Sequence, residues 1–281
     1  MEQIQISFSR KKILVSISLL DLGDLESRLL NIPGICQELP RLTIAALRYA
    51  NDMAQRVELF SPHESPKEEQ AIIAIALLVR MLETVESILI LSIYGARQEL
   101  ESLFRIFLDV YFLVANVTRD ANFVGIYLRT DEKERLKLMN SSEKHENELF
   151  NQLKAYATDD IRNALKQRIK DEEIKDFNSW EYANNVGCGV LYDSVYRIKS
   201  SAVHTGARCL EDYLDVDENG DLTHIRRRPN DDVVNSNIPA MIDSLLRVLG
   251  GICDVTGEDK TKYEALAADI DTAMQTHAHN A

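Results

Sequence analysis

The chain has 281 residues, of which 45% are hydrophobic and 27% charged, and its formal net charge is −13. This composition is typical of a soluble globular protein. The acidic balance argues against a broad nucleic-acid-coating surface, because phosphate neutralisation needs clustered Lys and Arg, but it leaves room for a small local basic pocket. Only 11 Gly and 6 Pro interrupt the chain, which predicts long helices with few tight turns.

The N-terminal region is predicted to be partly extended. Residues 3–9, "QIQISFS", alternate apolar and polar side chains as a strand does, so an extended segment is expected within residues 1–20. A first helix is predicted over 39–60. Residues 1–60 are therefore assigned to an N-terminal extension and first helix.

Two long helices are predicted next. The tetrapeptide "SPKE" (65–68) combines a Ser cap, a Pro at the first helical position and a Glu that completes a capping box. The helix that it opens, 66–93, is apolar nearly all round, as in the centre of a bundle. The next helix, 96–118, carries an i,i+4 ladder, which in isolation is best interpreted as a solvated stripe. The ladder consists of Arg97, Glu101, Arg105 and Asp109.

Further helices are predicted at 158–177, from Trp180 to near Gly187, and at 190–213, 231–255 and 259–276. They complete an all-α fold, a helical bundle over residues 61–256 followed by a C-terminal helix and tail, 257–281.

A short β-hairpin is predicted near 213–228. The segment that starts at Asp215, "DVDENGDLT", also has the spacing of an EF-hand calcium loop. The twelfth position of such a loop is a bidentate Glu, whereas this chain has Arg226 there. Because Asn219-Gly220 is a strong signal for a tight turn, the hairpin is favoured over a calcium site.

Neither a metal site nor a membrane span is predicted. The four cysteines are far apart, without C-x-x-C spacing: Cys36, Cys188, Cys209 and Cys253. Charged residues interrupt the most apolar region, 71–93, and the apolar run at 13–20 lacks a cleavage site. The two His of the terminal "HAHN" (277–280) lie in a tail and receive no metal role. We therefore expect a soluble cytoplasmic protein without a cofactor.

A polar stripe on the helix over 190–213 is the main functional candidate. Its sequence "YRIKSSAVHTGAR" (196–208) places polar residues at i, i+4, i+7 and i+11, within a narrow arc of a regular helix. These residues are Arg197, Ser201, His204 and Arg208, with Ser200 beside them. The opposite, buried face is predicted to consist of Leu191, Val195, Ile198, Ala202 and Cys209.

Arg and His together can cleave a phosphodiester without metal. In this interpretation His204 is the general acid/base, Arg197 stabilises the charge of the transition state, and the 2′-hydroxyl of RNA is the nucleophile. Seven helical residues separate the two Cα atoms by about 10 Å, and Arg197 leans away from His204. One helix would not bring both onto one phosphate, whereas two helices crossing in a dimer could. A nearby basic run, Arg226, Arg227 and Arg228, is a candidate phosphate-binding patch.

The alternative interpretation is a structural seam between helices. Glu101, Asp109 or Asp193 would then pair with Arg197, and His204 would cap a buried network. The residues alone leave both interpretations open.

Two elements of the sequence resemble a widespread bacterial all-helical family of unassigned function. The first is an Arg-x-x-x-Glu helix, matched by Arg97 and Glu101. The second is a Tyr-x-x-x-Tyr-Arg-x-x-Ser-x-x-x-His helix, matched by Tyr192, Tyr196, Arg197, Ser200 and His204. The resemblance covers about residues 66–255. The pattern is in turn similar to the HEPN superfamily, whose signature is Arg-x(4–6)-His on a helix of a small bundle.

The HEPN resemblance implies a metal-independent, dimeric ribonuclease that acts as a toxin or in antiviral defence. Its expected partners are RNA, a second copy of the chain and a regulatory protein. His204 would be the acid/base, Arg197 the phosphate clamp, and Ser200 or Ser201 an orienting hydroxyl, with Glu101 orienting Arg197 across the bundle. Supporting roles fall to Arg97, Tyr196 and Arg208. The alternative function is a non-enzymatic helical interaction module in which the same stripe is a buried structural network.

Overall fold

The computed structural model describes residues 12–13, 15, 20–32, 35–57, 59–60, 66–175, 177–203, 210–225 and 233–280. The first seven helices are α1 (Leu22–Leu30), α2 (Glu38–Arg56), α3 (Pro66–Ile93), α4 (Arg97–Arg119), α5 (Asn122–Glu143), α6 (Asn151–Tyr156) and α7 (Asp159–Asp171). They are followed by α8 (Ser179–Asn185), α9 (Gly189–Leu191), a π-helical turn (Tyr192–Tyr196), α10 (Arg197–Val203), α11 (Val233–Thr256) and α12 (Thr261–Asn280). The strands are β1 (Lys12–Ile13), β2 (Leu59–Phe60), β3 (Leu214–Val216) and β4 (Leu222–Ile225), and short 3₁₀ turns span Glu148–Phe150 and Glu211–Tyr213.

The predicted all-α fold with a short hairpin is confirmed. The strand predicted over residues 3–9 lies outside the described residues. Within the described ranges, no helix has the length and hydropathy that crossing a membrane requires.

Local capping sets where several helices begin. Pro66 is the first residue of α3, as the sequence predicts. The Thr158 side chain accepts a hydrogen bond from the Ile161 amide at the start of α7. At α8, Asn178 and Glu181 form a reciprocal capping box. These contacts satisfy backbone N–H groups that a first helical turn otherwise leaves unpaired.

The core lies where α3 and α4 pack together and α11 packs against both. Phe104, Phe107 and Phe112 of α4 are fully buried there. Burial of each such side chain contributes about 1.5–3 kcal/mol. One continuous cluster of buried side chains runs from Leu25 to Ile270. Parts of all three predicted segments contribute to this core, and their division at residues 60 and 256 stays a prediction.

The predicted hairpin forms between β3 and β4, which are antiparallel. Gly220 occupies the turn with φ +86°, a conformation that favours glycine. The Asp217 carboxylate accepts hydrogen bonds from the amides of Asn219 and Asp221, at 2.9 and 3.0 Å. These amides lower the pKa of Asp217 below its ordinary value, with the Asp221 amide as the largest cause. Asp217 therefore closes the turn.

Candidate functional site

The helix that carries the polar stripe is interrupted by the π-helical turn Tyr192–Tyr196. A π turn holds an extra residue relative to an α turn, so every later side chain is rotated relative to a regular helix. The prediction of one regular helix over 190–213 is wrong for this reason. Such insertions are rare, and they frequently occur at functional sites.

The rotation changes which residues face the core. Leu191 and Val195, before or within the π turn, are partly buried against the core, as predicted. Ile198 was predicted to be buried but is 59% exposed. The next residue, Lys199, takes the inward position, with a side chain only 15% exposed. The inward position is therefore shifted by one residue directly after the π turn, whereas Cys209 and the side chain of Ala202, which were also predicted to be buried, lie outside the described residues.

Tyr196, at the end of the π turn, lies at the centre of a polar network. Its hydroxyl accepts a hydrogen bond from Arg105 Nη2 at 2.7 Å. The same hydroxyl lies 2.9 Å from Asp109 Oδ1 and 3.0 Å from Ser179 Oγ, and its proton can go to either. Ser179 Oγ in turn donates to Asp109 Oδ1 at 2.6 Å. The network joins α4, α8 and the π turn.

Packing and charge hold this network in place. Arg105 Nη1 pairs with Asp109 Oδ2 at 3.2 Å, and the Arg105 guanidinium lies 5.1 Å from the centroid of the Tyr196 ring. Tyr192 stacks on Tyr196 with ring centroids 4.6 Å apart. Burial is the largest cause that raises the pKa of Tyr196 above its ordinary value, so its hydroxyl is protonated at neutral pH.

A second polar contact joins α4 and α10. The Glu101 carboxylate pairs with the ammonium of Lys199, and the two side chains are 11% and 15% exposed. Glu101 was expected to orient Arg197, and the ladder of α4 was expected to be solvated. Both expectations are corrected, because the carboxylate is buried and its partner is Lys199. Arg97, in the first turn of α4, is partly buried.

Arg197 lies on the surface instead. Its side chain is 68% exposed, and Nη1 is 3.5 Å from Asp193 Oδ1 one turn earlier. Of the three carboxylates considered as partners for Arg197, Asp193 is the one that pairs with it. Such an exposed i,i+4 pair contributes only about 0.3–0.5 kcal/mol, so an anion can readily compete for the guanidinium.

Of the remaining predicted site residues, Ser200 makes a contact within its own helix, and the others, or their side chains, lie outside the described part of the chain. The Ser200 hydroxyl donates to the Tyr196 carbonyl at 2.9 Å, a bond within the helix. Five residues, and the side chain of a sixth, lie outside what the structure describes: His204, Arg208, Arg226, Arg227, Arg228 and the side chain of Ser201. Their roles stay predictions. In the described ranges, no group of three or more His, Cys, Asp or Glu is placed to hold a metal ion.

Two residues of this site were missed by the sequence interpretation. Ser179 lies 17 residues before Tyr196, and no local pattern links the two. Lys199 was missed because the helix was assumed to be regular. The sequence did contain a signal for the aromatic part of the site. The Tyr-x-x-x-Tyr spacing of Tyr192 and Tyr196 places both rings on one face of a helix, where they stack.

The chain matches no curated protein and no solved structure. A family model does match it, over residues 71–221, which is more than half of its length. The matched range includes α4, α8, the π turn and α10, and therefore the whole Tyr196 network. The chain belongs to the family described as "Family of unknown function (DUF5677)".

Proposed function

We propose that the protein is a metal-independent endoribonuclease of the HEPN type that acts as a dimer in a toxin or antiviral defence system. The observation that carries the proposal is the placement of Arg197, whose side chain is 68% exposed one residue after the buried Tyr196. The resemblance of the Arg-x6-His helix to HEPN enzymes is the reason for proposing metal-independent RNA cleavage.

Anchoring of the helix supports the role of Arg197. Tyr196 and Lys199 both contact α4, and their contacts leave Arg197 directed toward solvent. A cation on an anchored helix loses less conformational freedom when it binds a phosphate than one on a mobile segment does. Arg also presents a planar fork of donors that suits a phosphate.

Exposed apolar side chains near Arg197 support a second subunit. Val190 and Ile198 are 83% and 59% exposed, and Ile198 is the residue next to Arg197. Apolar side chains in such positions suit burial against another helix. A second copy crossing here would bring Arg197 of one subunit toward His204 of the other, which resolves the separation of about 10 Å along one helix.

The proposed reaction is an internal transesterification. His204 accepts the proton of the RNA 2′-hydroxyl while the 2′-oxygen bonds to phosphorus. The bond from phosphorus to the 5′-oxygen breaks, and the leaving oxygen takes a proton from the imidazolium. Arg197 stabilises the negative charge that develops on the phosphoryl oxygens.

The test measures cleavage of labelled RNA in the presence of a chelator. We expect His204→Ala and Arg197→Ala each to lower the cleavage rate by at least about a hundredfold. Arg247→Ala is the matched control, because Arg247 is also exposed and paired with an Asp one turn earlier, Asp243, at 2.9 Å. Thermal unfolding checks that all variants are folded. Equal cleavage by the wild type and His204→Ala would reject the proposal.

A second candidate is a non-enzymatic interaction module. The exposed apolar side chains of the β3–β4 hairpin favour it, since such side chains commonly mark protein contacts. The two functions predict different results for overexpression of the protein and for His204→Ala. An interaction module would leave growth and RNA unaffected by overexpression, and His204→Ala would behave as the wild type does.

A further inference from the structure

The β3–β4 hairpin has the reverse of the usual exposure pattern. Leu214 and Val216 are 38% and 61% exposed, while Asp215 between them is partly buried. An antiparallel ribbon on a soluble protein normally turns its apolar side chains inward and its polar ones outward.

A β-bulge gathers the apolar residues on one face. Leu214 pairs with Ile225, and Val216 pairs with Leu222 because the register shifts after Asp215. Without the shift, Val216 would oppose Thr223. Since cross-strand partners share a face of the sheet, the bulge adds Leu222 to the apolar face. Leu222 and Ile225 are 56% and 67% exposed.

This face and both strand edges are open in the described part of the chain. The sheet there has only two strands, so each strand keeps one edge without a β partner. A two-stranded ribbon is marginally stable alone, and a third strand would use both the free edge and the apolar face.

The charge of the hairpin segment indicates which kind of strand could pair with its free edge. Residues 210–225 contain no Lys or Arg, and they contain six acidic residues: Glu211, Asp212, Asp215, Asp217, Glu218 and Asp221. Like charge disfavours a second acidic ribbon at the hairpin itself. Lys or Arg on an incoming strand would instead lie beside these carboxylates.

We propose that the hairpin binds an extended segment of another protein in which Lys or Arg alternates with apolar residues. The segment adds as a third strand. Its apolar side chains pack on the same face, beside those of Leu214, Val216, Leu222 and Ile225, and its cations lie near the acidic residues around the turn. This surface is independent of the ribonuclease chemistry and needs neither Arg197 nor His204.

The probe is a short fluorescent peptide in which Lys alternates with Val, titrated into the full-length protein. We expect saturable binding that Val216→Thr together with Leu222→Thr weakens at least tenfold. Thr removes the apolar surface but keeps a high strand propensity, so the hairpin is retained. Leu149→Thr is the matched control, because Leu149 is 85% exposed elsewhere and its change should leave affinity unaltered.

Two further measurements separate strand addition from simple charge attraction. A peptide in which Lys alternates with Ser should bind at least tenfold more weakly, and the Lys-Val peptide should slow hydrogen exchange of amides in β3 or β4. Equal binding of both peptides, or of the wild type and the double variant, would overturn the proposal. So would a concentration-dependent dimer that the double variant abolishes, because a second copy, with its own Arg226–Arg228 run, would then be the occupant.

Discussion

The Tyr196 hydroxyl lies 2.9 Å from Asp109 Oδ1, a contact that joins the π turn to α4 across 87 residues of chain. It anchors the helix at the point where the extra residue changes its phase. Arg197 is the next residue, and its direction into solvent follows from this anchor.

Loss of the Tyr196 hydroxyl should destabilise the fold. Tyr196→Phe keeps the ring but removes the shared partner of Arg105, Asp109 and Ser179, and we expect a loss of about 1–3 kcal/mol in the free energy of unfolding. Tyr192→Phe is the control, because its hydroxyl makes no hydrogen bond within the described ranges, and it should cost less than about 0.5 kcal/mol. Urea unfolding measures both. Equal losses would show that the network contributes nothing specific.

The Glu101–Lys199 pair should show strong coupling. Lys199→Met leaves a buried carboxylate without its cation, and we expect a loss of about 3–5 kcal/mol. Adding Glu101→Gln removes the stranded charge and should recover at least about 1 kcal/mol. A double-mutant cycle in urea gives the coupling energy. Strictly additive losses would mean that the two charges do not stabilise each other.

Glu173 occupies a backbone conformation that normally requires glycine. Its φ is +48°, just after the C-cap residue of α7. The Glu173 amide donates to the Lys170 carbonyl and the Ile174 amide donates to the Ile169 carbonyl, and these two hydrogen bonds close the end of the helix. Glu173→Gly should therefore stabilise the protein, by about 0.5–1 kcal/mol. The neighbouring Glu172→Gly should destabilise it, because φ there is −93°. A stabilising effect of both changes, seen in thermal unfolding, would contradict this reasoning.

The hairpin turn should weaken in acid. The folded pKa of Asp217 is lowered, so its contribution to the turn is complete above its ordinary pKa and is lost as the pH falls through the folded value. We expect the amide resonances of Asn219 and Asp221 to titrate together, with a midpoint below that of an unstructured Asp. Asp217→Asn keeps the acceptor oxygen and should abolish this titration. A midpoint at the ordinary value would contradict the two amide hydrogen bonds.

Much of the fold follows from local sequence signals. Pro66 and Thr158 start their helices where capping rules place them, and Asn219-Gly220 turns the hairpin. Each of these structures depends on residues within one or two turns of chain. Nothing beyond those few residues has to be known to predict them.

The site depends on contacts that no local pattern reveals. Ser179 meets Asp109 across 70 residues, and this contact exists only once α8 packs on α4. No sequence pattern predicts the π turn. Because of it, Lys199 points toward the core at the position where a regular helix would place Ile198. The alternation of Leu214, Asp215 and Val216 likewise does not reveal which face of the hairpin is exposed, and the structure exposes the apolar one. Periodicity alone cannot supply these relationships.

Mixing of inactive subunits tests the composite ribonuclease site most directly. If Arg197 of one subunit and His204 of the other share a site, a mixed dimer of Arg197→Ala and His204→Ala subunits contains one intact site and one doubly defective site. Equal mixing, with full exchange of subunits, should then restore about a quarter of the wild-type RNA cleavage rate, while each variant alone stays inactive. A mixture as inactive as its two components, with exchange verified, would contradict a site shared between subunits.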